Sequence, residues 1–119
     1  MLRVQEDDLE WDDNNLPSYQ GEPFTGESVE TTNDGRLLSL TTYVDGLDEG
    51  PFRVWSGDGV LVVEGTSRRG RAVGVSREWY PSGAPKIERE YSEQGELLRY
   101  RSWDEDGTVT EDYVRPSGG

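Results

Sequence analysis

A 24-residue period runs through most of this chain and restricts it to a repeat architecture. Gly35, Gly59, Gly83 and Gly107 stand 24 residues apart. Gly26, Gly50 and Gly74 keep the same spacing, with Leu98 in the fourth slot. Trp55, Trp79 and Trp103 form a second kind of row, with Thr31 in its first slot. Arg53, Arg77 and Arg101 form a third, with Val29 in its first slot. Several residue types sharing one period indicate a single supersecondary unit, repeated and stacked so that neighbours bury each other's surface.

The unit reads as a β-hairpin. Each Gly of the first row closes a turn signal: Asp34-Gly35, Asp58-Gly59, Ser82-Gly83 and Asp106-Gly107. Asp-Gly between short β-like runs is a strong hairpin signal, because both residues tolerate the positive φ of a type I′ turn. The flanking runs have ordinary strand length. Four hairpins are predicted, pairing 27–33 with 36–42, 51–57 with 60–66, 75–81 with 84–91, and 98–105 with 108–114.

Register can be tested within the sequence. A two-residue loop at 58–59 pairs residues whose numbers sum to 117, placing Arg53 opposite Glu64 and Trp55 opposite Val62. The same rule sets Arg77 against Glu88 and Arg101 against Asp112. In the first hairpin it sets Val29 against Leu40, so the slot that lost its Arg lost its carboxylate too. Opposite charges across a strand pair stabilise by about 0.2–1 kcal/mol each. Side chains alternate between faces, so Arg53 and Trp55 share a face, as do Arg77 with Trp79 and Arg101 with Trp103.

Composition agrees with a β-rich, turn-rich chain. Of 119 residues, 31% are hydrophobic and 15 are Gly, yet Trp and Tyr together number ten. Disordered chains are poor in aromatics. Cys and His are both absent, which removes disulfides, thiolate metal sites and the usual general base. Asp104-Glu105-Asp106-Gly107 lacks the spacing of a calcium loop and reads as a turn. No phosphate-binding Gly-rich loop leads into a helix. The expectation is a protein without catalytic residues, metal or cofactor.

Net charge is −13, and it is uneven. Residues 1–34 hold ten acids and one base, net −9, against net −4 for residues 35–119. Such a chain is repelled by phosphate backbones and anionic membranes, and a basic protein partner is favoured. No apolar run reaches the length of a leader or a membrane span, so a cytoplasmic location is expected.

The stretches Gly-Val-Ser-Arg-Glu-Trp-Tyr-Pro-Ser-Gly from Gly74 and Gly-Pro-Phe-Arg-Val-Trp-Ser-Gly-Asp-Gly from Gly50 resemble the MORN repeat. More specifically, they resemble the bacterial variant of the YwqK-like antitoxin family. The resemblance covers about residues 21–115, divided as 21–44, 45–68, 69–92 and 93–115. Thr31 and Leu98 depart from the pattern in the end copies, as capping repeats do. The resemblance implies an elongated, open antiparallel sheet of hairpins and a scaffold, antitoxin or immunity role without enzymatic activity. It implies a toxin as the partner; a lipid-binding MORN module is the further alternative, which the charge of −13 argues against, and the expected state is a monomer or weak self-association through exposed strand edges.

Residues 1–20 lie outside the repeat and carry acidic runs at 6–8 and 12–13. They read either as an acidic arm that docks a basic partner through Trp11, Leu16 and Tyr19, or as a tail covering the first hairpin. Residues 116–119 read as a disordered stub. The candidate partner-binding residues are Trp55, Trp79, Trp103, Tyr80, Arg53, Arg77, Arg101, Trp11, Asp12 and Asp13. Trp, Tyr and Arg are enriched at interface hot spots. The competing reading is that the Trp and Arg rows only hold the repeats together.

Overall fold

In the computed structural model, which describes residues 1–116, the chain is all-β apart from one 3-10 turn at Glu6–Asp8. Its strands are β1 (Arg3–Gln5), β2 (Glu10–Trp11), β3 (Pro17–Tyr19), β4 (Glu22–Pro23), β5 (Gly26–Thr31) and β6 (Leu37–Val44). They continue as β7 (Leu47–Trp55), β8 (Leu61–Arg68), β9 (Arg71–Trp79), β10 (Pro85–Tyr91), β11 (Leu97–Trp103) and β12 (Val109–Val114). Nine strands form one open sheet in the order β1-β5-β6-β7-β8-β9-β10-β11-β12, and β2-β3-β4 form a small second sheet. Residues 117–119 of the expected stub lie outside the described residues.

The four hairpins are β5–β6, β7–β8, β9–β10 and β11–β12, as the repeat predicts. Their tips differ from prediction. Gly35, Gly59, Gly83 and Gly107 have positive φ, but Asp34, Asp58, Ser82 and Asp106 do not. Each tip is a three-residue loop, as in Ser56 N–H to Val60 C=O (2.8 Å) and Gly59 N–H to Ser56 C=O (2.9 Å). A type I turn followed by Gly in the left-handed region produces this pattern. Pro81 fits it, because proline presets the first central position of a type I turn.

The shorter register at the tip is then undone by a one-residue bulge. Trp55 faces Leu61, not the predicted Val62, while Val54 faces Val63 and Arg53 faces Glu64. Val62 is the extra residue, and Leu38, Lys86 and Thr110 occupy its place in the other hairpins. Two deviations from the predicted loop therefore cancel, and the Arg–carboxylate pairs keep their expected register. The two-residue type I′ turns lie at the opposite ends of strands, at Gln20-Gly21, Asp45-Gly46 and Arg69-Gly70, where both residues have positive φ.

Residues 1–20 are folded onto the sheet. β1 pairs in parallel with β5, Val4 facing Ser28, which makes an otherwise antiparallel sheet mixed. The predicted boundary at residue 20 falls inside the β3–β4 turn. Val4, Leu9, Phe24 and Tyr43 form a buried cluster with Tyr19 against it. Phe24 is its hub: the ring lies 6.2 Å from Tyr19 and 6.1 Å from Tyr43, and its backbone bonds Pro17 and Gly46. Val4 and Leu9 lie outside the repeat, whereas Phe24, Val29, Leu40 and Tyr43 belong to its first copy, so apolar burial gathers where residues 1–20 meet that copy. Beyond Val73, the buried positions among the described residues are Ser76 and Ser102.

Candidate functional site

The Arg row belongs to a longer structure. Arg53 faces Glu64, Glu64 faces Arg77, Arg77 faces Glu88, Glu88 faces Arg101 and Arg101 faces Asp112. Six side chains of alternating sign therefore cross six strands on one face. Within hairpins the ion pairs close at 3.1, 3.2 and 2.9 Å. The preceding rungs, Val29 and Leu40, are buried and uncharged. The ladder pins register along the array, because a slip by one residue carries every member to the other face.

On the opposite face, Ser76, Arg89, Tyr100 and Tyr113 form a cross-strand row. Arg89 pairs with Glu78 at 2.6 Å, and its guanidinium stands 5.3 Å from the Tyr100 ring centroid. Phe52 lies opposite Gly65, so close that a Cβ on Gly65 would stand 2.3 Å from Cζ of Phe52.

Trp55, Trp79 and Trp103 end the outgoing strands beside the tip loops and are half-buried. Successive members lie two strands apart, about 10 Å. Tyr80 donates its hydroxyl to the Trp103 carbonyl oxygen at 2.9 Å, linking the third tip to the fourth hairpin. The structure therefore brings Trp55, Trp79 and Trp103 to one edge of the array beside the Arg ladder.

Trp11, Asp12 and Asp13 lie apart from that row. Trp11 packs edge-on against Tyr43 at 6.2 Å. Asp12 accepts the backbone N–H groups of Asn14 (2.8 Å) and Leu16 (2.9 Å), which closes the β2–β3 turn. Asp13 is exposed. Near Trp11, burial and the charges of Asp48 and Glu6 push the Tyr43 hydroxyl up to about 12. Burial also raises the Asp48 carboxyl.

One basic cluster carries no repeat signal in the sequence. Arg68, Arg69 and Arg71 place three bases within four residues of an acidic chain. With Glu49, Glu93 and Gln94 they line an open groove of about 630 Å³. Arg68 is held by Glu93 at 2.8 Å. The bases flank a type I′ turn, where Arg68 faces Arg71. Like charges directly opposite destabilise a strand pair.

These features define an open, all-β repeat sheet with one covered end. No family model matches the chain, and no curated protein matches it. Among solved structures it is similar to a chain of "Crystal structure of GtfA/B complex bound to UDP and GlcNAc", with a TM-score of 0.36 and 11% identity. The match covers 85% of this chain and 25% of that one, so this chain spans about a quarter of that protein's length. No helix among the described residues is long and apolar enough to cross a membrane.

Proposed function

We propose that this chain is a non-catalytic protein-binding module that acts as an antitoxin or immunity protein, capturing a basic toxin in the cytoplasm. The observation that carries the reading is the uncovered half of the sheet. A sheet ordinarily buries at least one face against a second layer. Here the strands beyond Val73 bury no large side chain, yet they present Trp79, Tyr80, Tyr100, Trp103 and Tyr113 among arginines. Aromatics and Arg are the residues that dominate binding energy at protein interfaces. The charge of −13 favours a basic protein over nucleic acid or an anionic membrane, and the resemblance to MORN-type antitoxins points the same way.

The test is affinity capture from the native host at low and high salt, followed by neutralisation assays with Trp55→Ala, Trp79→Ala and Trp103→Ala. One small basic protein held at low salt and weakened at high salt, with neutralisation lost in at least one variant, is the expected result. Recovery of bait alone, or full neutralisation by all three variants, would count against it. A second reading, a self-associating scaffold, is favoured by the uncovered face of the sheet beyond Val73, which two copies could cover for each other. It requires light scattering to show size rising with concentration.

A further inference from the structure

β12 ends the sheet order, and all six of its residues are exposed. Its backbone parity is set by the Arg115 N–H, which donates to the Leu98 carbonyl oxygen at 2.8 Å. Hydrogen-bonding direction alternates along an antiparallel strand. Glu111 and Tyr113 therefore direct their backbone groups inward to β11, while Asp112 and Val114, beyond the bulge at Thr110, direct theirs outward. The strand is a template of unpaired donors and acceptors.

We propose that this edge receives an antiparallel β-strand from a basic partner, with one Lys or Arg facing Asp112 and an adjacent one facing Glu111. The ladder specifies the first. Its sign alternates at every strand from Arg53 to Asp112, so the rung after Asp112 is a cation, as Arg101 is after Glu88. Glu111 and Tyr113 specify the other face. Glu111 stands on the row containing Ile87 and Ser102, and Tyr113 is 40% exposed beside Tyr100. Arg89 over the Tyr100 ring shows the kind of contact a second cation makes there. Strand addition supplies affinity through main-chain bonds and specificity through alternate side chains.

A second copy of this chain is a poor occupant. Two β12 strands paired antiparallel over their length would set either Glu111 against Glu111 or Asp112 against Asp112. Val109–Val114 holds no base, and Arg115 is already paired with Glu96. Each copy also carries −13.

The proposal rests on the protein-binding reading, but its test does not need the native partner. The full chain, ¹⁵N-labelled, is titrated with the capped peptide Thr-Val-Thr-Lys-Arg-Tyr-Thr-Val and with a control carrying Glu-Glu for Lys-Arg. The Lys-Arg peptide should shift the amide signals of Asp112 and Val114 and slow their hydrogen exchange. Asp112→Lys should weaken its binding by about three- to tenfold, the range of a reversed cross-strand charge pair. The Glu-Glu peptide should bind that variant better than the wild type. Val114→Pro removes an outward N–H without touching the β11 ladder, and should weaken binding while leaving the remaining spectrum unchanged. Shifts confined to other strands, equal binding of both peptides to the wild type, or a β12-mediated dimer without peptide would overturn the proposal. Peptide binding at β12 alongside a failed capture experiment would leave the edge assignment standing and count against the toxin reading alone.

Discussion

The first and last hairpins share one plan, yet their surroundings are opposite. At β5–β6, residues 1–25 fold back over the sheet, and Phe24 is left 2% exposed. At β11–β12 nothing among the described residues covers the sheet, and Val109 and Val114 are 48% and 64% exposed. Both hairpins have the same tip turn, the same bulge and the same cross-strand slot, Val29–Leu40 in one and Arg101–Asp112 in the other. The repeat therefore provides backbone order and register. The apolar core forms only where Val4 and Leu9, from outside the repeat, pack against its first copy. In a stacked array stability passes between neighbours, so the covered end anchors and the open end remains available.

The largest test of this contrast is at Phe24. Phe24→Ala should cost about 3–5 kcal/mol, the usual cost of truncating a buried Phe. Tyr113→Ala should fall within about 0.5 kcal/mol, as exposed substitutions do. Urea denaturation of the two variants measures both, and hydrogen exchange should show protection lost first at β1 and β5 in Phe24→Ala. Comparable losses in the two variants would break the contrast between an anchoring and an open end.

A smaller effect is expected at Gly65, midway along the sheet. An added Cβ would lie 2.3 Å from Cζ of Phe52 and 2.6 Å from Oγ of Ser76. Gly65→Ala should cost about 1–3 kcal/mol by overpacking. Phe52→Leu should recover part of that loss in the double variant, because residues in contact are coupled. Strict additivity would show that Phe52 moves aside freely and that the middle of the sheet behaves like its open end.

How much of this was legible in the sequence follows from what each feature depends on. The hairpins and the three Arg–carboxylate pairs depend on short-range spacing and repeat four or three times, so the rows of Gly, Trp and Arg exposed them. The tip turn departs from the expected type I′ although Pro81 carries the signal, because Asp-Gly suits either turn type. The pairings of Glu64 with Arg77 and Glu88 with Arg101 lie between hairpins, where turns and bulges of different kinds set the register. The cover over β5–β6 depends on Phe24 and Tyr43, which meet β1 and β3 only through tertiary packing. The Trp and Arg rows of the candidate surface could be listed from spacing. That they stand on an uncovered sheet could not, because exposure depends on where residues 1–25 stop.

The ladder sharpens the comparison at a finer scale. Glu88 has a cation facing it on both sides, Arg77 and Arg101, whereas Asp112 at the open edge has one. Glu88→Ala should cost about 0.2–1 kcal/mol and Asp112→Ala less, since exposed pairs contribute in this range. Both losses should shrink in about 1 M salt, where the Debye length falls to about 3 Å. Equal losses for the two variants would mean that charge acts within each hairpin alone and not along the array.

The smallest expected effect has opposite signs at the two ends. At the covered end the Glu6 carboxyl is held above its ordinary value of 4.5 by its hydrogen bond to Glu30, by burial, and by the charges of Glu30 and Asp7. At the open end the Asp106 carboxyl is held below 3.8 by a hydrogen bond shared with the Asp104 carboxyl and by those it accepts from the Thr108 N–H and hydroxyl. For Glu6 the folded state binds the proton more tightly than the unfolded chain, so stability falls as pH rises through 4.5 and past the raised value. For Asp106 the contribution is present above 3.8 and is lost as pH falls through the lowered value. Glu6→Gln keeps a hydrogen-bonding side chain without the charge. It should raise the melting temperature slightly at neutral pH and leave it unchanged below 4.5. Asp106→Asn should lower the melting temperature slightly at neutral pH, with the difference fading in acid. Thermal melts of both variants across this range measure the two trends together. Trends of the same sign would show that closing the acidic cover over the first hairpin carries no electrostatic cost, and that the two ends differ in packing alone.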